Sequence, residues 1–283
     1  MIELKQVTKQ YGQAAVLKNI TLTIDQPGIY CLLGRNGAGK TTLLKSIAGY
    51  QNITSGAIKV ADRLITTSAL DTGVSYIQNF AKHFNLRIQK LLRIASELNP
   101  SYDYDFASEL MERFELDGKK KFNQLSLGMK TMVSTIICLA SNKEVILLDE
   151  PVLGFDAIMR AEFYDMLTES FQKHPRMIIV FTHLIEEIAK TVQKLIIIDR
   201  GSIVFYDTLQ SINAKAFSVS GLKKDVEAAT KNLNIIGQDI AGGLATSYIF
   251  DNPPRQAASL EIHPLSLQDF FIQMVGHKGG MKR

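Results

Sequence analysis

Hydrophobic positions along the chain change period several times, and each change marks an element. Ile20, Leu22 and Ile24 alternate with Thr21 and Thr23, the period of a half-buried strand. Residues 2–7 read as an earlier strand, with Lys9-Gln10-Tyr11-Gly12 between the two. A short apolar run, Ile29 to Leu33, predicts a buried strand, and Leu43-Leu44-Lys45-Ser46-Ile47-Ala48 has helical spacing that stops at Gly49. Residues 55–60 and 74–78 read as further strands. From 79 to about 123 the period becomes helical. Leu91, Leu92, Ala95 and Leu98 share one face, and Asp103 or Asp105 can cap a second helix through Leu110, Met111 and Phe114.

Ser126 precedes a longer helix whose apolar residues Met129, Met132, Val133, Ile136, Ile137 and Ala140 keep to one stripe. Val145-Ile146-Leu147-Leu148, Met177 to Phe181 and Leu195 to Ile198 are apolar throughout. Such runs belong to strands covered on both faces, as in a parallel sheet. With a helix around 160–171 between two of them, the alternation predicts an α/β core. Gly201 opens a hairpin strand over 202–207. After about 208 the texture changes: strands near 217–219, 248–250 and 260–263, a helix over 225–233, and Ser266-x-x-Asp269 as a capping box for a final short helix. This predicts a small α+β appendage over 209–283.

Composition adds limits. The 283 residues can bury a full core, and 46% apolar with 21% charged residues fits a globular chain. The longest apolar runs are strand-sized, so no membrane span is expected. Residues 1–5 lack a basic segment followed by an apolar one, so no signal peptide is expected. Cys31 and Cys138 fall in apolar segments and read as buried, reduced thiols, which suits the cytoplasm. A net charge of +4, with its one basic cluster at 277–283, gives no argument for a nucleic-acid partner.

The chemistry concentrates in Gly34-Arg35-Asn36-Gly37-Ala38-Gly39-Lys40-Thr41-Thr42, which fits the phosphate-binding pattern G-x-x-x-x-G-K-[ST] between a strand and a helix. Glycines let backbone N–H groups curl round a polyphosphate, and the new helix turns its positive end toward it. Lys40 then reaches the β- and γ-phosphates, Thr41 offers a hydroxyl to Mg²⁺ and Thr42 can touch the α-phosphate. Asp149 closes an apolar strand, placed to hold Mg²⁺ through water, and Glu150 follows where a water would attack the γ-phosphate.

With Leu125-Ser126-Leu127-Gly128-Met129, the chain resembles the ATP-binding cassette (ABC) family, with motifs in the family's order over residues 1 to about 210. The resemblance implies a P-loop NTPase fold: an ABC-type domain over 1–208 with an N-terminal antiparallel β subdomain and a helical subdomain inserted at about 79–141. It implies that Tyr11 stacks on adenine and that Gln78 is the Q-loop residue, serving both catalysis and Mg²⁺. It places Ser126 and Gly128 in the signature, Gly154 and Asp156 in the D-loop, and His183 at the switch position. The usual L-S-G-G-Q is altered: Leu127 replaces the first glycine and Met129 the glutamine, which puts ribose contacts in doubt.

The same resemblance implies ATP and Mg²⁺ as cofactors, a second ATPase subunit bound head to tail, and a separate membrane permease that holds the chain at the cytoplasmic face. The altered signature, the compact helical arm and the ending Pro264-Leu265-Ser266-Leu267-Gln268-Asp269-Phe270-Phe271 are similar to bacterial exporters of bacitracin, lantibiotics and phenol-soluble modulins. The permease's helix is expected in a groove near 78–84. Two alternatives remain: a soluble ABC ATPase acting on nucleic acid or ribosomes, and a regulatory subunit that hydrolyses little.

Overall fold

The computed structural model describes residues 1–69, 72–78, 85–253 and 260–276. The predicted groove residues beyond 78 and the basic tail lie outside them. Strands β1 (Ile2–Tyr11) and β2 (Ala14–Ile24) form a hairpin around Gly12-Gln13. β1 runs further than expected. Bulges between Leu4 and Lys9, with Gln6 at φ 50°, break the two-residue alternation that would have revealed its end. β3 (Gly28–Leu33) then enters the core and leads into α1 (Lys40–Ile47); β4 (Ser55–Val60) and β5 (Arg63–Leu64) return to the first sheet, whose order is β2-β1-β4-β5.

The second sheet is the frame of the molecule. β6 (Val74–Gln78) is followed by α2 (Ile88–Leu98), α3 (Tyr104–Arg113), α4 (Leu127–Leu139) and then β7 (Val145–Asp149). α5 (Ala157–Lys173), β8 (Met177–Phe181), the short α6 (Ile185–Ile188), β9 (Lys194–Asp199) and β10 (Ser202–Thr208) complete it. The order is β10-β9-β3-β8-β7-β6, parallel except for β10 on the edge.

The uniformly apolar strands are apolar because both faces are covered. Tyr30, Leu32, Val145, Leu147, Ile179 and Ile196 face the antiparallel sheet and α1 in one core cluster. Ile29, Cys31, Leu33, Ile146, Leu148 and Ile178 face α4, α5 and the helical arm in the other. In α2 the buried positions are Ile88 and Leu92, whereas Leu98, expected on the same face, is 80% exposed. Asp103 caps α3 by accepting from the Phe106 N–H at 2.9 Å.

Beyond β10 come α7 (Leu209–Lys215), β11 (Ala216–Leu222), α8 (Lys223–Thr230), β12 (Ile235–Ala241), β13 (Leu244–Phe250), β14 (Glu261–Pro264) and α9 (Leu267–Gly276). The four strands form an antiparallel sheet in the order β12-β13-β11-β14, with α8 over one face. Sequence reading had missed β12, which lies on the edge and buries only Gly237. α9 leaves this sheet and returns to the larger core. Phe270 is fully buried between Phe205 and Phe250, with ring centroids 5.0 and 5.3 Å away, and the Gln268 N–H donates to Glu186 on α6.

Phe270→Ala removes the centre of this aromatic cluster. It should lower stability by about 3–5 kcal/mol, read from urea unfolding; an effect below about 1 kcal/mol would mean that α9 does not hold the appendage down.

Candidate functional site

The site forms where β3, β7 and β8 end on the same edge of the parallel sheet. Ligands bind at such carboxyl ends because the loops there diverge and leave a crevice. The cleft has a volume of about 520 Å³ and is lined by Asn36, Gly37, Gly39, Lys40, Thr41 and Thr42 on one side. Asp149, Glu150, Phe181 and His183 line the other, with Val16 and Leu153 at its margins.

The glycine loop is shaped by contact. A Cβ on Gly34 would lie 2.3 Å from the Ile198 carbonyl oxygen, so only glycine fits against β9. Gly37 and Gly39 have φ of 79° and 107°, a conformation that L side chains rarely adopt. The turn after β9 steadies the loop from behind: the Gly201 N–H donates to the Ala38 carbonyl at 3.0 Å. Gly39, the N-cap of α1, offers no side-chain cap, so the first-turn N–H groups face an anion site without a competing oxygen.

Lys40 is 5% exposed. Its ammonium donates to the carbonyls of Gly34 and Arg35 at 2.7 and 2.8 Å and sits 4.4 Å from the Phe181 ring centroid. Burial lowers its pKa, and Glu150 and Asp149 act against that shift. Asp149, also 5% exposed, accepts from the Tyr76 hydroxyl at 3.1 Å and from the Thr41 hydroxyl. Burial raises its pKa, opposed by those two hydroxyls and by Lys45 and Lys40.

Glu150 turns out of β7 at φ 54°, a strained conformation for a non-glycine residue, fixed by its N–H on the Phe181 carbonyl at 2.8 Å. One carboxylate oxygen lies 2.9 Å from His183 Nε2. Burial pushes the Glu150 carboxyl up to about 7; the His183 backbone N–H and Lys40 pull it down, and Asp149 pushes it up. Burial lowers the pKa of His183, and Lys40 lowers it further.

The remaining expected residues fall into two groups. Tyr11, Ser126, Gly128 and Asp156 do not line this cleft. Ser126 caps α4 by accepting from the Met129 N–H at 3.2 Å, and Asp156 caps α5 by accepting from the Met159 N–H at 2.9 Å. Gly128 packs directly on Gly154: a Cβ there would lie 2.6 Å from the Gly154 oxygen. Gln78 pairs through its backbone with Asp149, and its side chain lies outside the described residues. Sequence reading missed Phe181 and Val16 as cleft walls, and Gln51, whose Nε2 donates to the Thr42 carbonyl at 2.8 Å.

These features accommodate a nucleoside triphosphate. Lys40 and the open end of α1 would hold its phosphates. Thr41 and Asp149 supply two hard oxygen donors, as Mg²⁺ prefers, the rest of its shell coming from phosphate and water. Among the described residues, no group of three or more His, Cys, Asp or Glu could hold a metal ion alone.

The ABC transporter family model matches residues 17–153, the span from β2 through the P-loop to Leu153. Residues 17–153 are thus similar to an ABC transporter ATP-binding domain. Over 98% of its length it is 29% identical to 99% of the ABC transporter ATP-binding protein YtrB of Bacillus subtilis. Over 71% it is 29% identical to the bicarbonate transport ATP-binding protein CmpD of a Synechocystis species, covering 74% of that protein. The same share is 29% identical to 80% of the taurine import ATP-binding protein TauB of Escherichia coli O157:H7. Among solved structures, an ATP-binding subunit of an ABC transporter superposes with a TM-score of 0.68 at 23% identity, over 75% of this chain and 92% of that one. The ATP-binding cassette MJ0796, solved as a dimer after hydrolysis with ADP and Pi, gives 0.65 at 23%, over 74% and 99%. The chain is an ATPase, and its P-loop NTPase fold is the one expected from sequence.

Two measurements check the site. Lys40→Ala should lose at least about 1.5–3 kcal/mol of MgATP binding, the worth of hydrogen bonds to a charged group, with the fold intact by circular dichroism; unchanged affinity in calorimetry would remove Lys40 from the phosphate site. Glu150 tests its own environment. Its pKa is about 7 in the folded chain against an ordinary 4.5, so the folded state keeps a proton that the unfolded state has released. The stability that this proton confers is full below about pH 4.5 and is lost as pH rises through 7. Glu150→Gln, which does not ionise, should therefore gain on the parent by about 1–3 kcal/mol between about pH 5 and pH 8 in nucleotide-free urea unfolding. A pH-independent difference would show an unperturbed carboxyl.

Proposed function

We propose that this ATPase is the energy-converting subunit of a transporter whose membrane-spanning permease is a separate chain, and that two copies work head to tail at the cytoplasmic face. The observation that carries the reading is the carboxylate pair ending β7: buried Asp149 beside Thr41, and Glu150 across the same cleft from Lys40. The relatives, each named as an ATP-binding protein of a transport system, support the transport role. Among the described residues, no helix is long and apolar enough to cross a membrane.

In the cycle, Lys40 and the α1 N-terminus neutralise the β- and γ-phosphates. Thr41 and Asp149, with Gln78, would hold Mg²⁺, which would supply further charge neutralisation. Glu150 accepts the proton of the attacking water as its oxygen bonds to the γ-phosphorus and the bond to ADP breaks. A carboxyl poised near 7 suits a general base at neutral pH. His183 orients that carboxylate at 2.9 Å and supports the γ-phosphate.

On this reading the N-terminus of α4, with Ser126 as its cap and buried Gly128 beside it, faces the partner copy's γ-phosphate. Leu127, Leu153 and Ile158 are 48, 51 and 73% exposed near that end, apolar surface that an interface would cover. Asp156 and Gly154 belong to the same face, and Tyr11 stacks on the base.

For the transported substrate we extend the proposal to export of peptides or antimicrobial compounds, on the altered signature and the C-terminal pattern ending Asp269-Phe270-Phe271. The relatives named for taurine and bicarbonate match over 71% of the chain, whereas YtrB matches over 98%. The cassette over 1–208 and the appendage over 209–283 are two functional units on this reading.

Glu150→Gln keeps size and hydrogen-bonding reach but cannot take a proton. Turnover should fall at least about 100-fold while MgATP still binds, and light scattering should show a monomer that becomes a dimer with ATP. Full hydrolysis by this variant would remove Glu150 from catalysis.

A further inference from the structure

Tyr11 is half exposed at the tip of the β1–β2 hairpin, where burial does not fix the ring. Two side-chain contacts do. Its hydroxyl donates to Gln51 Oε1 at 2.6 Å. The Lys9 ammonium lies 4.8 Å from its ring centroid and is itself anchored, donating to the Asn52 carbonyl at 2.6 Å. The short segment after α1 thus grips the tyrosine at its hydroxyl and, through Lys9, at one ring face. The ring is half exposed, which leaves surface for a flat ligand.

Gln51 has a second contact. Its Nε2 donates to the Thr42 carbonyl at 2.8 Å and to Ser46 Oγ at 3.1 Å, in the first and last turns of α1. Ser46 Oγ donates to the same Thr42 carbonyl at 2.9 Å. One amide therefore spans from the tyrosine to the helix that begins at the phosphate site. Free tyrosine on an exposed hairpin would lose side-chain freedom on stacking, and a ring already held in place loses less.

We infer that Gln51 is a positioning residue: it tethers Tyr11 to α1, so that the ring stands at a fixed place relative to the phosphates and receives the base of a bound nucleotide on the face away from Lys9. The inference deepens the base-stacking role given to Tyr11 above and rests on it. It predicts that the tether affects the nucleoside part of the ligand and not the phosphate part. An inorganic polyphosphate, which has no base, should not register it.

The full chain is titrated with MgATP and, separately, with inorganic tripolyphosphate and Mg²⁺, for the parent, Tyr11→Phe, Gln51→Leu and the double variant. Tyr11→Phe keeps the ring and loses only the tethering hydroxyl. Each single change should weaken ATP about two- to tenfold, the span for one neutral hydrogen bond. The double variant should be no weaker than the worse single one, because both remove the same bond. Tripolyphosphate affinity should be unchanged throughout. If Gln51→Leu weakens tripolyphosphate as much as ATP, Gln51 merely supports the P-loop helix and the tether is overturned. ATP affinity unaffected by Tyr11→Phe overturns it too. Tyr11→Ala separates this from the underlying reading. It should weaken ATP by about two- to twelvefold if the ring stacks. Weakening by Tyr11→Ala but not by Tyr11→Phe refutes the tether alone, and no weakening by Tyr11→Ala refutes base stacking and the tether with it.

Discussion

The molecule is built around the cost of holding one ammonium and two carboxylates in a partly desolvated crevice. Lys40 and Asp149 are each 5% exposed, and every group of the site has its pKa moved by burial before any neighbour acts. The charges are tolerable only because they face one another and because fixed dipoles assist: loop carbonyls on Lys40, and hydroxyls of Thr41 and Tyr76 on Asp149. That arrangement requires three strand ends on one edge of one sheet. A parallel sheet buried on both faces provides it, which is why the apolar runs, the helices and the second sheet are where they are.

Much of this was legible in the order of residues. The alternation in β2 and the unbroken apolar runs of β7 and β8 reported the true cover on each face. Lys40, Thr41, Asp149 and Glu150 could be read because their surroundings are local: a glycine loop between strand and helix, and a carboxylate pair ending a strand. What could not be read depends on contacts between distant parts of the chain. Gly34 is excluded from being anything else by Ile198, and Phe181 touches Lys40 from β8. Gln51 has no motif; it became visible only when the hairpin tip and the first turns of α1 came together.

Elements without a buried face were the hardest. β12 carries mostly exposed residues on an edge, so no period marks it. Leu98 kept to the expected helical spacing yet lies outside the stripe that Ile88 and Leu92 define. The last helix was predicted from its capping box, with Ser266 accepting from the Asp269 N–H at 3.0 Å. Its docking on Phe205, which joins the appendage to the cassette's core, has no counterpart in the local sequence.

The glycine contact between the start of α4 and the loop after β7 has a mechanical reading. With no side chain on Gly128 and an oxygen of Gly154 only 2.6 Å from where its Cβ would sit, the two backbones already meet. α4 therefore has no room to advance on this loop. Backbone against backbone is a hard stop, stiffer than any pair of side chains, because neither part has a rotamer to change. The loop that forms the stop also carries Leu153, a margin of the nucleotide cleft. Inward travel of the helical arm is therefore arrested at the same loop that helps to wall the cleft.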